Sequence, residues 1–104
     1  LVAGIYALCN ASLDTPWPKL VRLRTAFSQA DRQDDAALFA LMQDEWRPAD
    51  ALLPETCVGL EMERRLSSIF IRGDDYGTRA TSLMRMDQDS ITLTEHSFAP
   101  GGLF

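Results

Sequence analysis

Two segments of this chain place polar side chains where chemistry can be done. The first is Leu8-Cys9-Asn10-Ala11-Ser12-Leu13-Asp14-Thr15-Pro16-Trp17-Pro18-Lys19, in which Asn10 follows an apolar run and precedes a punctuated helix start. A carboxamide offers two N–H donors and one acceptor. At a strand end, aimed into a cleft, such a donor stabilises an oxyanion. The same side chain also satisfies turn backbone groups, which is the commoner use of Asn. The second segment is Tyr76-Gly77-Thr78-Arg79. Gly77 permits backbone conformations that other residues resist, and Arg79 brings five fixed donors and a permanent charge to the start of a strand. There a guanidinium holds a carboxylate, lowers the pKa of a nearby thiol, or forms an inert ion pair at the sheet edge.

The other reactive side chains point to less. Cys9 and Cys57 are far apart and match no CxxC or zinc spacing, so they are expected to be reduced core thiols of a cytoplasmic protein. His96 is the sole histidine, and one imidazole without a second ligand does not make a metal site. No metal and no cofactor are expected. A haem would need His96, Cys9 or Cys57 as its axial ligand, and none stands in a haem motif. Asp74 and Asp75 lack the calcium-loop pattern around them. Trp17 and Trp46 read as packing anchors. No Walker loop, GxGxxG, HExxH or GxSxG occurs.

The elements that would position these residues can be read from periodicity. Leu1 to Leu8 is apolar at nearly every position and reads as a strand buried on both faces. Asp14 or Thr15 can cap a helix that carries Leu20, Leu23, Phe27 and Ala30 at helical spacing. A second helix is expected over 34–44, begun by Asp34 and Asp35 and buried through Leu38, Phe39 and Met42. Residues 46–54 read as a loop. A third, short helix is expected over 60–67, with Met62, Leu66 and Ile69 on its buried side. The last third reads as β: strands over 68–71, 78–86 and 90–97, the latter two joined by Asp87-Gln88-Asp89, with Ile91 and Leu93 alternating as in a half-buried strand. The order predicts an α+β fold, helices packed on a mostly antiparallel sheet, as a single domain over 1–98 followed by a flexible tail over 99–104.

Composition narrows the partners. The chain has 104 residues, 46% hydrophobic and 24% charged, with a net charge of −5. A phosphate-binding surface draws its affinity from Lys and Arg, so no nucleic-acid partner is expected. The longest apolar-rich run, Leu1 to Cys9, is about half the roughly 20 residues of a spanning helix, so no transmembrane span is expected. A doubly buried first strand needs more cover than so short a chain provides. With an opening Leu1 in place of Met, this leads us to expect a homodimer or a missing N-terminal half.

Leu13-Asp14-Thr15-Pro16-Trp17-Pro18-Lys19, Leu53-Pro54-Glu55-Thr56, Leu60-Glu61 with Arg64, Ser67-Ser68-Ile69-Phe70-Ile71 and Tyr76-Gly77-Thr78-Arg79, in this order, resemble the C-terminal part of the NRDE family, also called the transport-and-Golgi-organisation protein 2 family. The resemblance runs from about Ile5 to Phe98. It implies the C-terminal half of a four-layer αββα sandwich, similar to N-terminal-nucleophile hydrolases and most of all to choloylglycine hydrolases. It implies that Asn10 helps form an oxyanion hole and that Arg79 supports a cysteine nucleophile, the two approaching one cleft, with Tyr76 and Thr78 binding substrate. The nucleophile and the Asn-Arg-Asp-Glu motif that names the family do not occur here, and Cys9 is in the wrong place to replace that cysteine. The isolated chain is therefore expected to be inactive, while a full-length parent would hydrolyse linear amides. The alternative is a non-enzymatic trafficking protein, or one that binds haem or another small molecule.

Overall fold

The computed structural model describes residues 2–99; of the expected tail, residues 100–104 lie outside them. Three helices and one hairpin follow in chain order: α1 Pro18–Gln29, α2 Asp35–Leu41, a 3-10 turn Asp50–Leu52, α3 Leu60–Arg65, β1 Ala80–Met86 and β2 Ile91–Ser97. The class is α+β, as the sequence predicts.

Each helix starts for a different local reason. Helix α1 has Pro18 in its first turn, where a missing N–H costs nothing and φ is already helical. Its N-cap is Trp17, with no side-chain cap. The expected caps serve elsewhere: the Asp14 carboxylate accepts the Ala7 N–H at 2.9 Å. Helix α2 begins where expected, with the Asp34 carboxylate as its cap, accepting from Ala36 and Ala37 at 3.0 and 3.4 Å. It ends at Leu41, short of the expected Asp44, because the next N–H groups, of Met42 and Gln43, donate to Phe39 and Ala40, closing a tighter last turn. Helix α3 follows Gly59, whose φ of 89° favours glycine, and stops at Arg65 instead of Ser67.

The third helix buries a different side from the one expected. Met62, Leu66 and Ile69 are half-buried, whereas Glu63 and Ser67 are buried at 5% and 6% exposure. The Glu63 carboxylate accepts both the N–H and the hydroxyl of Thr56, which makes a polar inner face tolerable.

Two expected strands do not form. Residues 2–8 bend at Ala3-Gly4 and meet their own continuation only at the end: Leu8 bridges Leu13, and both backbone groups of Ala7 go to Asp14. With no adjacent strand, their side chains stay out of the core, Val2 at 79% and Leu8 at 76% exposure. Residues 68–71 also pair with no strand. The Phe70 N–H donates to the Asp44 carbonyl at 2.8 Å, and the Ile71 N–H donates to the Thr78 hydroxyl at 3.0 Å. The expected three-strand meander is thus one hairpin.

That hairpin is antiparallel, with register Thr81↔His96, Leu83↔Thr94 and Arg85↔Thr92 on one face and Ser82↔Glu95, Met84↔Leu93 and Met86↔Ile91 on the other. Its turn is the Asp-rich one read from sequence. Asp87 donates its N–H to Ser90, and its carboxylate accepts from Asp89 and Ser90 at 2.8 Å. The first face meets α2. Phe39 stacks on His96 with ring centroids 3.7 Å apart, Thr81 is buried, and Arg85 pairs with Asp35. The apolar core is Leu20, Leu38, Phe39, Phe70 and Phe98, the last two meeting edge to face at 4.9 Å. The second face is bare: Ile91 and Leu93, expected to be half-buried, are each 64% exposed. Alternation in β2 holds, but its apolar side points away from the helices.

Candidate functional site

The two sequence motifs first appear as braces. In the Asp-Thr-Pro-Trp-Pro-Lys segment, Asp14 takes a φ of 55°, clasps Ala7 and pairs with Arg24 at 3.2 Å. Lys19, one residue into α1, sends its ammonium to the Leu66 carbonyl at 2.7 Å and the Ser68 carbonyl at 3.4 Å. These are carbonyls just past the end of α3, where a cation complements the helix dipole. In the second motif the Thr78 N–H donates to the Ile71 carbonyl at 2.8 Å while its hydroxyl accepts the Ile71 N–H. This clasp closes the loop 72–77. A Cβ on Gly77 would stand 2.6 Å from the Ile71 carbonyl oxygen, and one on Gly73 would stand 2.2 Å from that of Tyr76.

Two cavities lie against these braces. The first, about 510 Å3, runs between the N-terminal segment, α1, α2 and β1. Its walls are chiefly Leu20, Leu23, Phe27, Leu38, Phe39 and Leu83, and its polar groups include Cys9, Asn10, Lys19, Arg24, Thr81 and Ser82. The second, about 500 Å3, lies between Trp17–Lys19, α3 and the clasped loop, and presents Asn10, Lys19, Thr56, Glu63, Ser67 and Tyr76. Asn10, Trp17 and Lys19 line both. Burial pulls the Lys19 ammonium below the usual lysine range, with the neighbouring Cys9 acting in the opposite sense.

Cys9 uses its sulfur in a turn, donating to the Ser12 carbonyl at 3.6 Å and accepting the Ala11 N–H at 3.5 Å. Cys57 is exposed, at a φ of 66°. Among the described residues no group of three or more His, Cys, Asp or Glu side chains could hold a metal. None of the helices among them is long and apolar enough to cross a membrane.

Of the residues singled out in the sequence, Asn10 and Tyr76 line the second cavity together, Tyr76 with 55% of its surface exposed. Thr78 lines neither cavity, its hydroxyl being spent on Ile71. Arg79 is exposed, lines neither cavity, and makes no ion pair among the described residues. Trp17 is half-buried as an anchor should be, but Trp46 is 41% exposed under the Arg22 guanidinium, 4.6 Å from its ring centre. Glu63 and Thr56 were not legible as cavity residues. The one signal for them was Thr56 at the end of the Leu-Pro-Glu-Thr piece, seven positions before Glu63.

The family model described as "Transport and Golgi organisation 2", TANGO2, matches residues 1–100. The chain belongs to the TANGO2 family. It is 32% identical over 109 residues to the human protein named "Transport and Golgi organization protein 2 homolog", a match covering 93% of this chain and 40% of the human protein. The bovine protein of the same name is 31% identical over 113 residues, and the mouse "Transport and Golgi organization 2 homolog" 30% over 109, with the same coverage. The chain thus spans well under half the length of these TANGO2 relatives. Both cavities and both motifs lie inside the stretch matched by the TANGO2 model.

Proposed function

We propose that this stretch of a TANGO2-family protein binds a small, mostly apolar molecule, with the ligand's polar end at Asn10 and Lys19. The first cavity carries this reading. Its size falls in the range of small-molecule sites, about 300–1,000 Å3, and its lining has their character, apolar walls with a few convergent polar groups. Lys19 supplies a partly desolvated donor at the wall, and Asn10 a neutral amide that both donates and accepts. The compartment consistent with two reduced thiols is the cytoplasm.

A second reading rests on the place of Asn10 on the rim of both cavities. There the amide is an oxyanion donor for a linear-amide hydrolase of the N-terminal-nucleophile type, whose cysteine lies outside this stretch and whose charge Arg79 tunes. This reading gives the 104-residue chain no turnover of its own, whereas ligand binding needs only the groups present.

The two tryptophans separate cavity from surface. In a Trp46→Phe chain, Trp17 is the only indole, and it lines both cavities. Titration with decanoate is expected to give a saturable change in Trp17 emission. Leu23→Trp/Trp17→Phe, which fills the first cavity, is expected to abolish decanoate binding measured by calorimetry. A linear, unsaturable response in Trp46→Phe would overturn the reading.

A further inference from the structure

The outer face of the hairpin is an unpartnered apolar surface. Met84 and Leu93 are cross-strand neighbours, as are Met86 and Ile91. These four side chains are 57%, 64%, 69% and 64% exposed. They sit together at the turn end of the ribbon, while the far end of the same face carries Ser82 hydrogen-bonded to Glu95 at 3.2 Å. The opposite face of the ribbon is already occupied by α2. With α2 on one face only, the apolar side chains of the other face have no layer of secondary structure to bury them.

We infer that this face is the seat of an apolar layer supplied by the part of a TANGO2-family protein that lies outside this stretch. Two observations choose that occupant over a second copy of the chain. The stretch accounts for 40% of the length of its relatives, so most of a family-length protein lies outside it. The patch is also small. Its four side chains expose on the order of 450 Å2, against about 800 Å2 per partner in a stable complex between separate molecules. A layer in the same polypeptide escapes the loss of translational and rotational freedom that separate molecules incur, so a small patch suffices to hold it. The polar pair Ser82 and Glu95 marks the edge where the covering layer ends.

Methionine oxidation reads this surface directly. The isolated chain is exposed to dilute hydrogen peroxide across a concentration series, and oxidation at Met84 and Met86 is followed by mass spectrometry, with half-buried Met42 and Met62 as internal references. Both outer methionines are expected to oxidise at one rate at all concentrations, in a chain that light scattering reports as a monomer. Protection that grows with concentration, alongside a dimer, would overturn the choice of occupant in favour of a second copy. The chain is then co-expressed with a tagged piece of the human homologue comprising everything outside the matched 40%. Co-purification is expected, with oxidation of Met84 and Met86 slowed at least about tenfold relative to the references. Met84→Lys and Leu93→Lys are expected to abolish co-purification while leaving the isolated chain's thermal melt unchanged. Failure to co-purify, or capture that survives both substitutions, would overturn the inference.

Discussion

At the scale of single residues, the side chains that make the sequence distinctive mostly hold backbone in place. Thr78 shows it best, since one residue closes a loop through both its N–H and its hydroxyl. Thr78→Val removes the acceptor and leaves the Ile71 N–H without its partner. The expected cost is about 1–2 kcal/mol in urea unfolding, the penalty for stranding a partly buried donor. Arg79→Ala beside it should change stability by less than about 0.5 kcal/mol, because its exposed guanidinium pairs with nothing among the described residues. Equal losses from the two substitutions would mean that the clasp does not distinguish them. Both motifs were legible as unusual, but not as braces. The partners of Lys19 are carbonyls 47 and 49 positions away, and spacing within a motif carries no information about a partner so distant. The resemblance implied a shared cleft for Asn10 and Arg79 and a substrate-binding role for Tyr76; the cavity that Asn10 and Tyr76 both line is made by Trp17–Lys19 and α3 between them, which no spacing within a motif reveals.

At the scale of elements, local signals succeeded where the needed partner is local. The acidic start of α2 at Asp34, the Asp87 turn and the proline-punctuated start of α1 each depend on atoms within a few residues and were readable, although the caps expected for α1, Asp14 or Thr15, were not the ones used. Asp34→Ala should therefore cost about 1 kcal/mol, the usual loss for an N-cap, measured by chemical denaturation. A change within error would mean that α2 is held by Phe39 and Leu38 alone. Reading failed where a strand needs a neighbour. Residues 2–8 and 68–71 have strand-like composition, but composition does not supply an adjacent strand to take their N–H and C=O groups. Asp14 and Thr78 take some of those groups in its place. Helix α3 was readable, but its buried side was not, because that side carries Glu63, which a hydrophobic stripe cannot reveal.

At the scale of the whole molecule, charge and cover decide behaviour. Asp44, Glu45, Asp50 and Asp75 are held below the usual carboxylate range by hydrogen bonds from Arg22, Arg72, Arg64 and Arg65, and Asp87 by N–H donors in its turn. A folded pKa below the unfolded value gives stability that is fully present above the unfolded pKa, about 4, and is lost as pH falls through the folded value. The urea midpoint should stay level from neutral pH to about 5 and decline below about 4. The decline should be modest, since these pairs are exposed and screened. A midpoint that rises on acidification would contradict this sign. The α+β class was legible because helix and hairpin signals are separate in the sequence. The bare outer sheet face was not, because alternation in β2 states that one side is apolar and is silent on which side the helices take.

A ligand has two apolar surfaces to choose between on this molecule, the first cavity and the bare hairpin face. Methyl NMR of the 104-residue chain titrated with decanoate separates them residue by residue. Saturable shifts are expected at Ile5, Leu20, Leu23, Leu38, Ile69 and Leu83, which line the cavity, with Ile91 and Leu93 unmoved. Shifts confined to Ile91, Leu93, Met84 and Met86, or no saturable shift at any methyl, would contradict ligand binding in the first cavity.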